Sequence, residues 1–393
     1  MVYLIPLIIV LICIYVYDYL DVIQGKKIIF YGLLVYCILL SGLSYRMGLD
    51  IVNFYVDEYM RSPSLDNLTL DYLFHTPRRQ PGWQLLMAII HHFCESFVAL
   101  KIFVAAFLNY SIFITIRRYS PYMFTGILMY FVMLYMYFNF EILRESLAIS
   151  VFLLSLPFFE KEKYIKYYIC CIFAFLFHES STFIFFFPLI RRIEVSKKNV
   201  YIYVCIASFI MFFSSLFMWI PNVIASIGIF SEKAYSYMES DYFGYTKEFT
   251  LKKIPSYLLS FFLPIVSTYY MKKENKTHGL EQYIIVYVFI QIFHAFFPIL
   301  MRLGNYLSIF YFIYYILLIR FIVEKTIGKS KIVYTIICSV FISYNFIRSE
   351  LTVSEKFLNY PHIMLYYPYT SIFDKETIPE RELFYSLFFN HPV

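Results

Sequence analysis

Five short stretches of this chain set charged or titratable side chains at the edges of apolar runs, where they could hold an anion or move a proton. The densest is Phe138–Ser155 (FNFEILRESLAISVFLLS), in which Glu141, Arg144 and Glu145 stand at the mouth of an almost wholly apolar segment. An ionised side chain near a bilayer core costs roughly 2.5–3.5 kcal/mol on insertion scales, so it is kept where it has a partner, a wet cavity or a substrate. Glu141 and Arg144 are three residues apart, which on a helix sets them on one face. An interfacial anchor with a local ion pair fits that spacing, and so does a site for an anion.

The other four stretches extend the pattern. Tyr45-Arg46-Met47-Gly48-Leu49-Asp50 is followed by Tyr55, Asp57 and Glu58. A guanidinium there can grip a phosphate with two parallel hydrogen bonds. Asp50 lies four residues on, so a helical segment lets it orient Arg46; a solvated loop with a local salt bridge reads from the same residues. Arg78-Arg79-Gln80-Pro81-Gly82-Trp83 sets a proline at a helix start, whose N–H groups favour an anion. A turn before an interfacial helix with a Trp anchor competes with that reading. Phe177-His178-Glu179-Ser180-Ser181 lies between two apolar runs. Imidazole, with an ordinary pKa of about 6.5, suits proton transfer near neutrality. The pattern is not HExxH, because Thr182 stands where the second His is needed, and a histidine at an apolar edge is commonly structural. Arg302 separates two further apolar runs, with Tyr306 one turn on; snorkelling to the interface is its alternative.

The elements that must position these groups are membrane helices. The 393 residues are 61% hydrophobic and 15% charged, with mean hydropathy +0.65, where a soluble domain is about a quarter charged. Apolar runs near 20 residues, enough for about 30 Å of hydrocarbon, recur along the chain. They predict an all-α polytopic membrane protein with twelve spans, at 2–18, 28–44, 97–116, 121–138, 143–159, 164–178, 179–190, 200–219, 254–271, 282–300, 303–323 and 332–347. Segment 82–93 is too short to span and reads as a re-entrant or interfacial helix. Continuous rather than alternating apolarity argues against a β-barrel. Residues 1–347 read as a single bundle with outward loops 45–81 and 220–253, and 348–393 as an outward C-terminal segment.

Orientation follows from the basic loops. Lys26/Lys27, Arg117/Arg118, Lys161/Lys163/Lys166, Arg191/Arg192/Lys197/Lys198, Lys272/Lys273/Lys276 and Arg320/Lys325/Lys329/Lys331 fall on one side, 18 of the 33 basic residues. That side is cytoplasmic, which turns all five stretches outward, provided 82–93 does not cross. The outward segments are aromatic, with Tyr235, Tyr237, Tyr242 and Tyr245 in one and Tyr360, Tyr366, Tyr367 and Tyr369 in another; such rings suit a membrane interface and also sugars. Val2–Tyr17 reads as a first span, since no basic n-region or small-residue cleavage site accompanies it. The seven cysteines lie mostly inside apolar runs. No metal-ligand spacing, Walker A loop or Asp-x-Asp pattern is present, so neither a cofactor nor a metal is expected. Arginines can neutralise a pyrophosphate directly.

In order and spacing, Arg46/Gly48/Asp50, Pro81/Gly82/Trp83, Leu143/Arg144/Glu145, Phe177/His178/Ser180 and Arg302/Tyr306 resemble the motifs of the EpsG family of bacterial polysaccharide proteins, related in role to Wzy-type O-antigen polymerases. Gln80 stands where that family often has Glu, and Glu145 where it often has Gln. The resemblance implies a GT-C-like glycosyltransferase in the bacterial inner membrane with its active site facing the periplasm or exterior. It implies a polyprenyl-pyrophosphate-linked oligosaccharide as donor and acceptor, with membrane lipid, a chain-length regulator and a flippase as further partners, and no nucleic acid. On that reading Arg144, Arg302 and Arg46 meet the pyrophosphate, His178 is the first choice of general base ahead of Asp50 and Glu179, and Glu145, Tyr306, Gly82 and Trp83 position the substrate. A flippase or exporter of the same lipid-linked glycan is the alternative; it predicts charges within spans rather than at their ends.

Overall fold

A computed structural model of the chain describes residues 2–75, 79–213, 257–294, 300–326, 331–347, 351 and 361–390. Loop 220–253 with its four tyrosines, and also Arg78 and Tyr360, lie outside the described residues. Every regular element described is helical, and the one β pairing among them is an isolated bridge between Ser44 and Ser371. In chain order the helices are α1 (Leu4–Cys13, continued as a π-helix to Tyr19), α2 (Lys26–Gly42), α3 (Val56–Met60), α4 (Leu70–His75), α5 (Pro81–Phe93), α6 (Phe97–Tyr119), α7 (Met123–Met133), α8 (Tyr135–Phe140), α9 (Leu143–Glu160), α10 (Tyr164–Phe175), α11 (Thr182–Phe185), α12 (Lys197–Phe212), α13 (Leu263–Lys273), α14 (Glu281–His294), α15 (Met301–Asn305), α16 (Ser308–Thr326), α17 (Lys331–Phe346) and α18 (Pro379–Asn390).

Most helices start where the apolar runs start, for local reasons. Ser96 and Ser196 cap α6 and α12 by accepting from Val98 and Asn199 backbone N–H groups, which satisfies donors the first turn leaves open. Among the described residues, α6 alone is long and apolar enough to cross a membrane by itself; Leu4–Tyr19, α7 and α10 are shorter apolar helices. The exposed faces of Leu4–Tyr19 and α10 are apolar too. Ile8, Ile12, Ile165 and Phe173 are each more than half exposed, a surface that lipid solvates and water does not. Stretch 179–190 differs from the expected span. It is a 3-10 turn (Glu179–Ser181), the four-residue α11 and a second 3-10 segment from Phe187 to Arg192. His178 and Thr182 side chains bond backbone groups there, and Pro188 lacks an N–H, so a continuous ladder cannot form.

The chain divides into two compact units, Met1–Phe185 with Thr335–Pro392, and Phe186–Tyr334. In the first, α6 is the central strut. Its Leu100, Val104, Leu108, Ile112 and Ile116, at four-residue spacing, are all buried, and α2 and α9 pack against it. A closed polar ring crosses this core. Asn109 Nδ2 donates to Asn139 Oδ1 (2.8 Å), Asn139 Nδ2 to Tyr130 Oη (3.0 Å), and Tyr130 Oη to Asn109 Oδ1 (2.9 Å). Each member is satisfied, which makes a buried network tolerable and specific.

This unit has two chemically distinct ends. At one, Arg118 and Tyr119 meet Glu160, Arg117 meets Tyr31, and the Asp18 carboxylate accepts from Thr125 N–H (2.8 Å) and Oγ1 (2.9 Å). At the other, Lys101 Nζ donates to the Ser44 carbonyl (2.6 Å) and hydroxyl (2.5 Å), tying the end of α2 to the start of α6. In the second unit, α13 and α16 are joined by Ser267 Oγ against Tyr314 Oη (2.7 Å) and by Lys325–Glu274 (2.7 Å) and Lys276–Glu324 (3.6 Å) ion pairs.

Candidate active site

The second end of the first unit gathers four of the five stretches. The backbone leaves α2 through left-handed turns at Arg46 (φ +46°) and Gly48 (φ +93°). A Cβ at Gly48 would lie 2.3 Å from the Phe140 carbonyl oxygen, so this close approach admits only glycine. It carries Leu49 and Asp50 onto Glu141, which sits in the break between α8 and α9. Glu141 Oε1 accepts from Leu49 N–H (3.0 Å) and from Tyr366 Oη (3.0 Å), and Oε2 from Asp50 N–H (3.1 Å). Burial pushes the Glu141 pKa up to about 7, with the Asp50 charge adding to the rise and the two backbone N–H bonds opposing it.

Two expectations change here. Residues 46–48 are not helical, so Arg46 is not oriented by Asp50. Instead Arg46 makes a two-pronged ion pair with Glu382 of α18, Nε to Oε1 at 2.7 Å and Nη2 to Oε2 at 2.6 Å. Glu141 likewise lies before α9 rather than on it, and its carboxylate serves Leu49, Asp50 and Tyr366. Tyr366, expected on an outward aromatic surface, is fully buried with its ring 5.6 Å from Phe140. Arg381, also buried, donates to the Met364 and Arg46 carbonyls and to Thr370 Oγ1 and locks the C-terminal segment in place.

Arg144 and Glu145 are the second and third residues of α9, and Glu145 is buried. A three-residue link returns the chain through α10, so the start of α9 lies beside the end of α10 and the Glu179–Ser181 turn. There His178, 5% exposed, accepts a hydrogen bond at Nδ1 from Ser180 N–H (3.2 Å), with Ser180 Oγ 2.7 Å away. A backbone N–H only donates, so in this arrangement Nδ1 is unprotonated and neutral His178 carries its proton on Nε2.

The start of α5 docks on the same corner. Gly82 and Trp83 N–H groups both donate to the Leu176 carbonyl (2.8 and 3.3 Å), and a Cβ at Gly82 would meet that oxygen at 2.7 Å. Gln80 Nε2 reaches Glu179 Oε2 at 3.5 Å. Trp83 is fully buried against Tyr55, with its indole N–H on Glu58 (3.3 Å), which also holds Arg79 (2.5 Å). Trp83 therefore sets α5 in place instead of presenting a free ring. Arg381 and Glu382 carry this end of the unit and escaped the sequence reading; Glu58 was named there, but not its pairing with Arg79 and Trp83. Their partners are 21 residues or more away for Glu58–Arg79 and 336 for Arg46–Glu382, beyond any local pattern. Arg302 lies on α15 of the second unit, and Tyr306, at its end, is fully buried. Among the described residues no group of three or more His, Cys, Asp or Glu is arranged to hold a metal ion.

Among the described residues every regular element is helical, and apolar side chains cover the exposed faces of the apolar helices, as in a helical membrane protein. The family model for the EpsG family matches residues 27–371, and the chain belongs to that family, as its ordered motifs implied. The family is associated with polysaccharide polymerisation. No curated protein and no solved structure matches the chain.

Proposed function

We propose that this protein is a polysaccharide polymerase, a glycosyltransferase that joins polyprenyl-pyrophosphate-linked oligosaccharide repeats at the outer face of the bacterial cytoplasmic membrane to build O-antigen, capsule or exopolysaccharide. The proposal includes about twelve crossings in a GT-C-like arrangement, with the broken 179–190 stretch counted as one. One observation carries it: the Asp50, Arg144, Trp83 and His178 stations meet at one end of the first unit, while Arg117, Arg118 and the Lys161–Lys163 turn stand at the opposite end. By the positive-inside rule the basic end is cytoplasmic, and the assembled site faces out.

In the reaction a non-reducing-end hydroxyl of one repeat forms a C–O bond to the anomeric carbon of the other as the bond to pyrophosphate breaks. Arg144 takes up the negative charge that develops on the leaving group, and Arg302, on the second unit, is kept as a further candidate on its sequence motif alone. Arg46 joins them only by exchanging Glu382 for the substrate. His178, with Nδ1 on Ser180, acts as an Nε2–H donor. Asp50, whose backbone is pinned by Glu141, then becomes the favoured acceptor of the hydroxyl proton, with Glu179 behind it.

The test is glycan electrophoresis of a deletion strain complemented with parent, Arg144→Ala or His178→Ala, at matched protein levels. Loss of the long-chain ladder with single-repeat glycan retained is expected for the deletion and for Arg144→Ala, whose joining rate falls about 10²–10³-fold on losing one charge-stabilising donor. Loss of single-repeat glycan as well, with lipid-linked repeats accumulating inside, would favour a flippase. An unchanged ladder in the deletion strain would overturn both readings.

A further inference from the structure

At the far end of α5, the first unit has a polar cavity that the reaction outlined above does not use. Its volume is about 590 Å³, within the range of small-ligand sites, roughly 300–1,000 Å³. Ser62 and Asp66 line one wall, and His91, His92, Phe93 and Glu95 the other. The floor is rigid. Tyr59 is fully buried, its hydroxyl donates to the Cys94 carbonyl (2.5 Å), and its ring meets His91 and Phe97 edge-on at 5.2 and 5.8 Å. Ser62 Oγ donates back to the Tyr59 carbonyl (2.7 Å).

At the rim of the cavity, the largely exposed Asp66 carboxylate lies 3.4 Å from His92 Nδ1. Phe93, 80% exposed, stands edge-on to His92 with ring centroids 5.0 Å apart. The chemistry of these walls selects the occupant. Asp66 and Glu95 repel a phosphate, and the polar lining penalises a lipid tail. Carboxylates, imidazoles and a serine hydroxyl together satisfy a ligand that both donates and accepts hydrogen bonds at neighbouring positions. An exposed aromatic ring beside them covers a C–H face. A neutral polyhydroxylated ring matches all of these at once.

Resting on the polymerase reading, we infer that this cavity binds a sugar of the oligosaccharide repeat, remote from the bond being made. The thirteen-residue α5 spans about 20 Å, and its other end is the Pro81–Trp83 corner bonded to the Leu176 carbonyl. One helix therefore links the sugar-binding end to the reacting end and holds the repeat in register.

The test titrates detergent-purified full-length protein, by microscale thermophoresis, with tail-free repeat oligosaccharide released from lipid-linked repeats by mild acid. The parent binds saturably; Asp66→Asn/His92→Ala binds at least about tenfold more weakly, as expected for losing charged hydrogen bonds. Asp71→Asn, an exposed carboxylate on α4, binds like the parent. Phe93→Ala, at a solvent-facing position, provides the same readout if the double variant does not fold. Equal binding by parent and cavity variants, no saturable binding by the parent, or displacement of the oligosaccharide by glycerophosphoryl lipid headgroups overturns the inference. The ladder of the deletion strain judges the polymerase separately: a lost ladder beside a silent titration removes the sugar site and keeps the polymerase.

Discussion

Glu141 shows how one carboxylate can matter through the backbone it holds. It stands in the break between α8 and α9 and fastens the chain that carries Asp50 to the start of the helix that carries Arg144. Its pKa, raised from the ordinary 4.5 to about 7, has a consequence with a definite sign. Between those values the folded chain keeps a proton that the unfolded chain has released. The stability this contributes is complete below about pH 4.5 and is lost as pH rises through about 7. Glu141→Gln fixes the neutral state and removes that slope, while losing one acceptor for about 1 kcal/mol. Thermal unfolding of detergent-purified protein from pH 5 to pH 8 should therefore show a falling Tm in the parent and a flatter profile in Glu141→Gln. Parallel profiles would show that Glu141 does not titrate in this window. Tyr366, His362 and Asp50 also bear on this carboxylate, so the comparison is made against the single substitution.

Among the elements, two glycines decide whether the corner assembles. Gly48→Ala adds a Cβ to a left-handed residue 2.3 Å from the Phe140 oxygen, and Gly82→Ala adds one 2.7 Å from the Leu176 oxygen. Both contacts are with backbone, which cannot rotate away. Each substitution should lower the amount of folded protein, with a cost of about 2 kcal/mol or more. Gly32→Ala in α2 meets nothing within 4 Å and should be neutral or slightly stabilising; fluorescence-detected size exclusion in detergent compares the three. Similar recovery for Gly48→Ala and Gly32→Ala would remove the crossing from the account. Helices such as α6, α9 and α10 were legible because an apolar run is a local signal, as is the proline at 81 that starts α5; the expected span at 179–190 was not, because side-chain bonds to backbone and Pro188 interrupt it. Pairings such as Arg46 with Glu382 or Glu141 with Leu49 were not, since they depend on how distant segments pack. The expected Arg46–Asp50 pairing failed for a related reason: i,i+4 logic presumes a helix, and the left-handed turns at 46 and 48 interrupt it.

For the whole molecule, orientation hangs on α5. If α5 crossed the membrane, Arg117/Arg118 would change sides relative to Lys26/Lys27 and the basic loops would no longer agree. Its contacts argue that it does not cross. Its start is bonded to the Leu176 carbonyl just past the end of α10, and three residues join its end to α6, whose Lys101 is bonded to Ser44 just past the end of α2. On the proposed topology, in which the chain reverses at each basic connection, the ends of α10 and α2 and the start of α6 share one side, and so do both ends of α5. At about 20 Å it is also shorter than the ~30 Å hydrocarbon core. Single cysteines at Gln80, Glu95 and Glu162, in a protein with its seven native cysteines replaced, test this with a membrane-impermeant maleimide on intact spheroplasts. Gln80→Cys and Glu95→Cys should react from outside, and Glu162→Cys only after permeabilisation. Gln80→Cys and Glu95→Cys reacting from opposite sides would mean that α5 crosses, and the outward-facing site would fall with it. All three reacting only after permeabilisation would keep α5 on one side and put the site in the cytoplasm, where an externally acting polymerase cannot be.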